Sequence, residues 1–191
     1  DMARHLALQA VQSDLSRNRR ILLRNFDPRV LDLLWQTFTP QQRVALFGPI
    51  RAWHFIDRTG ALKTLTARQD ANATAPERVI LNEGQWTMIS RVGLVNQTLA
   101  LVQAARALPL HQTAANEADN ALIRAQINGL QDEQDLIKFA FLAVTVHPRF
   151  DEHPHIRAIL QTVSEGAEFC AEVQRLAPDQ WQQISAGRPA Q

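Results

Sequence analysis

The chain has 191 residues, of which 46% are hydrophobic and 20% are charged, with a net charge of +1. This composition supports a buried core and excludes a wholly disordered chain and a strongly basic nucleic-acid binder. No apolar run reaches the roughly 18 residues that a membrane span needs, and the N-terminus lacks a secretory pattern. Because Cys170 is the only cysteine, no internal disulfide can form, and we expect a reducing compartment.

Charge is distributed unevenly along the chain. Residues 1–63 contain ten Lys or Arg and five Asp or Glu, whereas residues 111–191 contain six and eleven. The first third of the chain is therefore basic and the last part is acidic. Solvated faces of mixed sign are the simplest interpretation of this asymmetry.

The first 66 residues predict a partial α/β lobe. Hydrophobic periodicity and turn signals indicate two strand regions and three helices, which we expect to form one small sheet covered by helices. In chain order the predicted elements are a helix over 3–16, a strand over 21–26, helices over 28–38 and 40–47, and a hairpin of strands 52–56 and 61–65.

Two helix starts in this lobe carry clear capping signals. Asp27 precedes Pro28, and Thr39 precedes Pro40 with Gln42 in the third helical position. Asp and Thr side chains accept hydrogen bonds from the free N–H groups of a first helical turn, and proline suits the first helical position. We therefore predict helices that begin directly after Asp27 and Thr39.

The rest of the chain predicts a helical lobe. Residues 67–82 are polar, which indicates a linker. We therefore expect residues 83–191 to form the second domain. The predicted helices cover 83–107, 118–128, 132–146, 155–163, 165–176 and 178–184. The most apolar of them, over 132–146, should lie at the centre of the lobe, and Cys170 is expected to be a buried, unreactive thiol. The fold class is therefore α+β and predominantly helical.

Signatures of enzymes are mostly absent from the sequence. The glycines are isolated, so no phosphate-binding loop is present, and no serine lies in a nucleophile-elbow pattern. The segment over residues 147–155, HPRFDEHPH, concentrates three histidines beside two carboxylates, which are ligand types that zinc accepts. Its spacing matches no helical ligand pair, and the simpler interpretation is an inter-helix loop in which Asp151 or Glu152 caps a helix that begins at Pro154.

Several stretches together resemble one bacterial family. Residues 21–31, ILLRNFDPRVL, precede the FGPI of residues 47–50 and a hairpin that contains Trp53. This series is similar to the domain-of-unknown-function family of type VI secretion adaptors, also called effector chaperones. Residues 129–136, GLQDEQDL, and 148–154, PRFDEHP, resemble the helical C-terminal region of that family.

The resemblance implies a cytoplasmic, non-enzymatic protein with an α/β lobe followed by a helical lobe. Family members bind a toxic effector protein and help to load it onto the valine-glycine-repeat spike protein, VgrG. They usually have a further half-lobe before the segment with which this chain begins, so we expect the chain to start partway through the α/β lobe. From the matching block, Arg24, Arg29 and Trp53 are candidate partner-binding residues, and we expect no cofactor and no nucleic acid.

Two other functions are alternatives. An immunity protein would bind a toxin in order to neutralise it, and would not deliver it. A metal-dependent hydrolase built on residues 147–155 would bind stoichiometric metal and would lose a pH-dependent activity in His153→Ala.

Overall fold

Of the residues that a computed structural model of the chain describes, 64% are helical, and they form nine α helices, one 3-10 helix and four short strands. The described residues are 2–14, 19–57, 60–67, 78–106, 110–111 and 113–187. The predicted α+β, predominantly helical class is confirmed. The chain divides into two compact units, Asp1–Ser90 and Arg91–Gln191. Most of the predicted linker, residues 68–77, lies outside the described residues.

The described residues of the first unit form three complete helices and four strands, followed by the start of a fourth helix. The elements are α1 Met2–Ala10, β1 Val11–Asp14, β2 Arg19–Leu22, α2 Pro28–Thr37, α3 Pro40–Phe47, β3 Trp53–Ile56, β4 Leu62–Leu65 and α4 Glu83–Arg106. The side chains of Leu31, Leu34, Leu46 and Phe47 are fully buried in its core, since their exposed fractions are 0%.

The strands of the first unit form two separate antiparallel hairpins, and the predicted single sheet is wrong. In the first hairpin Val11 lies opposite Leu22. In the second, which the sequence predicted, Trp53 lies opposite Leu65. Gly60 ends its turn with a φ of 84°, a left-handed conformation that favours glycine.

The first hairpin also corrects two predicted boundaries. The helix predicted over 3–16 ends at Ala10, and residues 11–14 form a strand. The strand predicted over 21–26 ends at Leu22. Leu23 donates its N–H to the Ala10 carbonyl at 2.7 Å, which adds one hydrogen bond at the open end of the hairpin. The second strand of this hairpin therefore finds its partner in the residues just before it and needs no distant strand.

Both predicted helix caps of the first unit are confirmed. Asp27 Oδ1 accepts a hydrogen bond from the Arg29 N–H at 2.9 Å at the start of α2. At the start of α3, Thr39 Oγ1 accepts from the Gln42 N–H at 3.2 Å, and Gln42 Oε1 accepts from the Thr39 N–H at 2.9 Å. These reciprocal bonds form a capping box, which satisfies two donors that a helix start leaves free.

A buried glutamine connects three segments of the first unit. Gln9 is fully buried, with an exposed fraction of 0%. Its Nε2 donates to the Ala45 carbonyl at 3.1 Å, and its Oε1 accepts from the Val79 N–H at 3.0 Å. The side chain therefore joins α1 to α3 and to the segment that leads into α4.

All described secondary-structure elements of the second unit are helices. It contains the remainder of α4, then α5 Ala114–Ile127, α6 Glu133–Thr145, a 3-10 helix Phe150–Glu152, α7 Pro154–Ser164, α8 Phe169–Gln174 and α9 Pro178–Ser185. Helix α5 begins four residues before its predicted start, and α8 begins at Phe169, later than the predicted 165–176. The delay follows from Gly166, whose φ of 107° lies in the left-handed region, where α7 has ended. No described helix is both long enough and apolar enough to cross a membrane.

Helix α6 is the centre of the second unit, as the sequence predicts. Eight of its 13 residues are buried. The ring centroid of Phe139 lies 4.8 Å from that of Phe150 and 5.6 Å from that of Phe169. Because all three aromatic side chains are almost completely buried, this cluster anchors the 3-10 helix and α8 on α6.

Candidate protein-binding groove

An apolar groove lies within the second unit along α4, α6 and the start of α8. Its volume is about 610 Å³. The lining residues are Leu101, Ala104, Ala105, Gln134, Ile137, Lys138, Phe141 and Cys170. Leu101 exposes 49% of its surface, although it is a large apolar residue. Contiguous apolar surface of this kind marks a site of protein interaction more often than an isolated exposed leucine does.

Helical periodicity places the lining side chains in two rows. Helix α4 contributes positions 101, 104 and 105, and α6 contributes positions 134, 137, 138 and 141. Residues three, four and seven apart lie on one face of an α helix. The alanines of α4 end at Cβ, whereas Ile137 and Phe141 extend from α6, so the α4 side leaves open space above long apolar side chains.

Lys138 is the one charged residue among the described residues that line the groove. Its Nζ lies 5.5 Å from the centroid of the Phe141 ring. The ammonium group is therefore held against an aromatic face, where the ring quadrupole attracts a cation. A ligand that buries the apolar surface of the groove would gain from placing a carboxylate beside this ammonium.

Asp135 fixes the α8 side of the groove from within α6. Asp135 is buried, with an exposed fraction of 7%. Its Oδ2 accepts from the Phe169 N–H at 3.0 Å and its Oδ1 accepts from the Cys170 N–H at 2.8 Å. The residue at the N-cap position of α8, Glu168, makes no side-chain capping bond. Asp135 therefore caps α8 from 34 positions earlier in the chain.

Cys170 is only partly buried, which corrects the expectation of a buried thiol. Burial, followed by the hydrogen bond and negative charge of Asp135, raises the pKa of Cys170 to about 12. The thiol therefore stays protonated at neutral pH, and the thiolate is the reactive form.

We expect the Cys170 thiol to react with iodoacetamide at pH 8 about 100-fold more slowly than an ordinary cysteine, because very little thiolate is present. The rate should rise steadily as the pH is raised from 8 towards 11. The measurement is the mass increase of the intact chain with time. The same chain in concentrated urea is the control and should react at the ordinary rate. Equal rates for the native and denatured chains would contradict the prediction.

The sequence candidates for partner binding lie in the first unit. Arg24 Nη2 lies 3.4 Å from Asp27 Oδ2, and Arg29 Nε lies 3.1 Å from Asp27 Oδ1. The two arginine side chains are 61% and 54% exposed. Trp53 is half-buried, and its ring centroid lies 6.2 Å from that of Phe47. The structure thus brings the two arginines together on Asp27 and places Trp53 on the β3–β4 hairpin.

Asp27 is a charged anchor for these arginines. Burial favours the neutral carboxyl group, but the hydrogen bonds from Arg29 and the positive charges of Arg29 and Arg24 outweigh it. Together they hold the pKa of Asp27 below its ordinary value.

The histidine-rich segment over residues 147–155 is a structured inter-helix connection. The expectation that Asp151 or Glu152 caps α7 is wrong, because His153 occupies the cap and its Nδ1 accepts from the His155 N–H at 3.3 Å. Asp151 Oδ2 instead accepts from Arg124 Nε at 3.0 Å. Pro154 begins the helix as predicted. Within the described ranges, no group of three His, Cys, Asp or Glu side chains is placed to hold a metal ion.

The groove residues were missed by sequence reasoning, although one signal was present. Helix α4 carries apolar residues on more than one face: Leu99 and Val102 are buried, whereas Leu101 between them is half exposed. An apolar residue outside the buried stripe of a helix indicates a second contact surface. Periodicity alone does not tell which face packs inside the unit.

Comparisons of the chain with protein-family models, with curated proteins and with solved structures found no match.

Proposed function

We propose that the chain is a non-enzymatic adaptor that binds a type VI secretion effector in the cytoplasm and helps to load it onto the VgrG spike. The apolar groove of the second unit is the observation that carries the proposal, because it offers a site for another polypeptide. The resemblance of residues 21–31 and 129–136 to the secretion adaptors supplies the identity of the two partners.

The groove suits an amphipathic helix of the effector. The lining positions of α6 run from 134 to 141, a span of eight residues, which corresponds to a length of about 10 Å or two helical turns. Such grooves bind helices through apolar anchors at positions i, i+3 or i+4, and i+7. Because Lys138 adds a positive charge to the apolar surface, the bound helix should carry Asp or Glu near its central anchor.

The arginines and Trp53 of the first unit are proposed as a second contact surface. Arg24 and Arg29 are fixed by the buried Asp27 and keep more than half of their side-chain surface exposed. Arginine and tryptophan are enriched among the residues that dominate the binding energy of protein interfaces. This surface is available for either the effector or VgrG.

The groove is tested by Ala104→Arg, measured as the affinity of the purified chain for an effector protein that co-purifies with the parent chain. Ala104 is exposed on α4, and arginine is a good helix former, so the fold should tolerate the change. The new side chain would fill the groove and place a second cation beside Lys138. We expect the affinity to fall about tenfold or more, which corresponds to about 1.4 kcal/mol.

Gln103→Arg is the matched control for this experiment. Gln103 is exposed on the same helix but does not line the groove. The Gln103→Arg variant should leave the affinity for the effector unchanged. Both variants should keep the helical circular dichroism of the parent chain. Equal affinity for Ala104→Arg and the parent chain would remove the groove from the interface.

A second measurement separates adaptor from immunity protein. If the chain is an adaptor, the effector co-purifies with it and VgrG joins the complex in size-exclusion chromatography. The effector remains toxic after delivery. Loss of effector activity on binding, without recruitment of VgrG, would instead support the immunity alternative.

A further inference from the structure

One face of the first hairpin is open to solvent and alternates basic with apolar side chains. The exposed positions are Arg20, Leu22, Arg24 and Phe26, which we call the exposed row. The positions between them, 21, 23 and 25, are partly or fully buried. Successive residues of an extended chain point to opposite sides. Arg20 and Leu22 therefore lie on one face of the hairpin, and the alternation of exposure continues through Arg24 and Phe26.

The apolar members of the exposed row are open for their size. Leu22 exposes 62% of its surface and Phe26 exposes 59%. Leu22 lies opposite Val11 in the hairpin, and Val11 is also an exposed apolar residue. Exposed apolar side chains that lie together mark an interaction surface more often than a single one does. The hairpin face thus offers apolar contact area to a partner.

The arginines of this surface outnumber its described acidic side chains. Arg24 and Arg29 share the carboxylate of Asp27, whose side chain is 5% exposed. Arg20 is exposed on the hairpin face and adds a further guanidinium group. Asp27 carries one negative charge for two arginines and is shielded from solvent, whereas the guanidinium groups are open to a partner. An acidic partner gains from this excess of positive charge.

The backbone of β2 adds an open strand edge. Among the described residues, β1 is the only strand that pairs with β2. Leu23 donates its N–H to the Ala10 carbonyl, and an antiparallel ladder alternates between bonded and non-bonded pairs. Leu22 belongs to the next pair of the register and Arg20 to the pair two positions further, so both are in non-bonded pairs. Their N–H and C=O groups therefore point away from β1, where a further strand would lie.

We propose that the exposed row binds an extended acidic segment of another polypeptide, which adds to the open edge of β2 as a third strand. The backbone of the segment bonds to the N–H and C=O groups of Arg20 and Leu22. Its side chains on the exposed face alternate acidic with apolar. The carboxylates contact Arg20 and Arg24, and the apolar side chains contact Leu22 and Phe26.

The chemistry of the edge selects this partner over two others. A second copy of the chain would bring its own arginines against those of the exposed row, and like charges repel. An anionic membrane matches the arginines, but only another extended backbone matches the alternating donors and acceptors of β2.

The inference rests on the proposed function for the role of Arg24 as a contact residue. Its test uses a synthetic peptide in place of the effector. Failure of the peptide to bind would leave the groove experiment with Ala104→Arg unaffected, and failure of the groove experiment would leave the peptide result standing.

Binding is measured by the fluorescence anisotropy of a labelled peptide that repeats the sequence Asp-Thr-Val-Thr, titrated with the full chain. In a strand, this repeat places Asp and Val alternately on one face. We expect saturable binding that is about tenfold or more tighter than that of the same peptide with Lys in place of Asp. The order Asp-Val-Thr-Thr places Asp and Val on opposite faces, and it should bind about threefold or more weakly. Equal binding of the three peptides, or of none, would overturn the proposal.

Hydrogen exchange distinguishes an added strand from contact through side chains alone. The amides of Arg20 and Leu22 should exchange about tenfold or more slowly when the peptide is bound. The amides of the β3–β4 hairpin should keep their rates. Peptide binding without slower exchange at Arg20 and Leu22 would refute the added strand. Binding of phosphatidylserine vesicles by a chain that does not bind the peptide would assign the exposed row to a membrane.

Variants connect the binding to the named side chains. Leu22→Thr removes the exposed apolar side chain and Arg20→Thr removes the charge, while threonine keeps a preference for strands. Each should weaken binding of the Asp-Thr-Val-Thr peptide about threefold or more. Leu62→Thr is the matched control, because Leu62 is an exposed leucine on β4 of the other hairpin. It should leave the peptide affinity unchanged. Equal affinity in Leu22→Thr, Arg20→Thr and the parent chain would contradict the assignment.

Discussion

Replacing Asp135 with alanine should lower the free energy of unfolding of the second unit by about 3 kcal/mol, because two buried N–H donors lose their acceptor. These donors are the amides of Phe169 and Cys170, at 3.0 Å and 2.8 Å from the carboxylate. Urea denaturation followed by circular dichroism measures the change. Hydrogen exchange should show loss of protection at the same two amides.

Glu168→Ala is the control for the Asp135 variant. Glu168 holds the N-cap position of α8 but makes no capping bond. Its replacement should change the free energy of unfolding by less than about 0.5 kcal/mol. If Glu168→Ala were the more damaging change, α8 would be capped locally and the assignment to Asp135 would be wrong. The comparison also bears on the groove, because Cys170 is fixed by this carboxylate.

Local signals in the sequence were enough to predict the helix starts. A cap is made by a side chain and amides two or three residues away, so Asp27 and Thr39 could be read directly from the sequence. Asn82 shows the same relation, since its Oδ1 accepts from the Gln85 N–H at 2.9 Å at the start of α4. The β3–β4 hairpin was predicted for the same reason: its turn contains Gly60, and its strands are short and adjacent.

Contacts between distant residues could not be predicted. Asp135 and Phe169 are 34 positions apart, and no motif joins them. Gln9 bonds to Val79 across 70 positions. Both are polar residues that a pattern of hydrophobicity assigns to the surface, yet the fold buries them with their partners. The first strand of the first hairpin, residues 11–14, was mistaken for part of a helix because Leu6, Leu8, Val11 and Leu15 together suggested helical spacing.

The groove illustrates the same limit at the level of function. Its α4 and α6 sides are built from positions 101–105 and 134–141, and the shape depends on how these helices pack. The hydrophobic pattern of each helix alone indicates only that the helix is amphipathic or apolar. The candidates Arg24, Arg29 and Trp53 came instead from the block that resembles the adaptor family, and the structure places both arginines on Asp27.

Asp27→Ala should lower the free energy of unfolding of the first unit by about 2 kcal/mol at pH 7, because α2 loses its cap and Arg29 loses its acceptor. Most of this comes from the buried cap, since ion pairs with largely exposed arginines contribute little. Asp27→Asn keeps an oxygen for the cap and should lose about half as much. Urea denaturation of the two variants and the parent chain provides the comparison.

The acid response of the first unit tests the charge of Asp27 separately. Its pKa in the folded chain lies below the ordinary value, so the unfolded chain binds a proton at a higher pH than the folded chain does. The stabilisation by the charged carboxylate is therefore fully present above about pH 4 and is lost as the pH falls through the folded pKa. The difference in unfolding free energy between the parent chain and Asp27→Asn should shrink over this range.

Arg29→Gln in the parent background should weaken the pH dependence, because Arg29 supplies the hydrogen bonds that lower this pKa. A constant difference from pH 7 to pH 3 would show that Asp27 acts through cap geometry alone, and that its charge does not hold Arg24 and Arg29 in place.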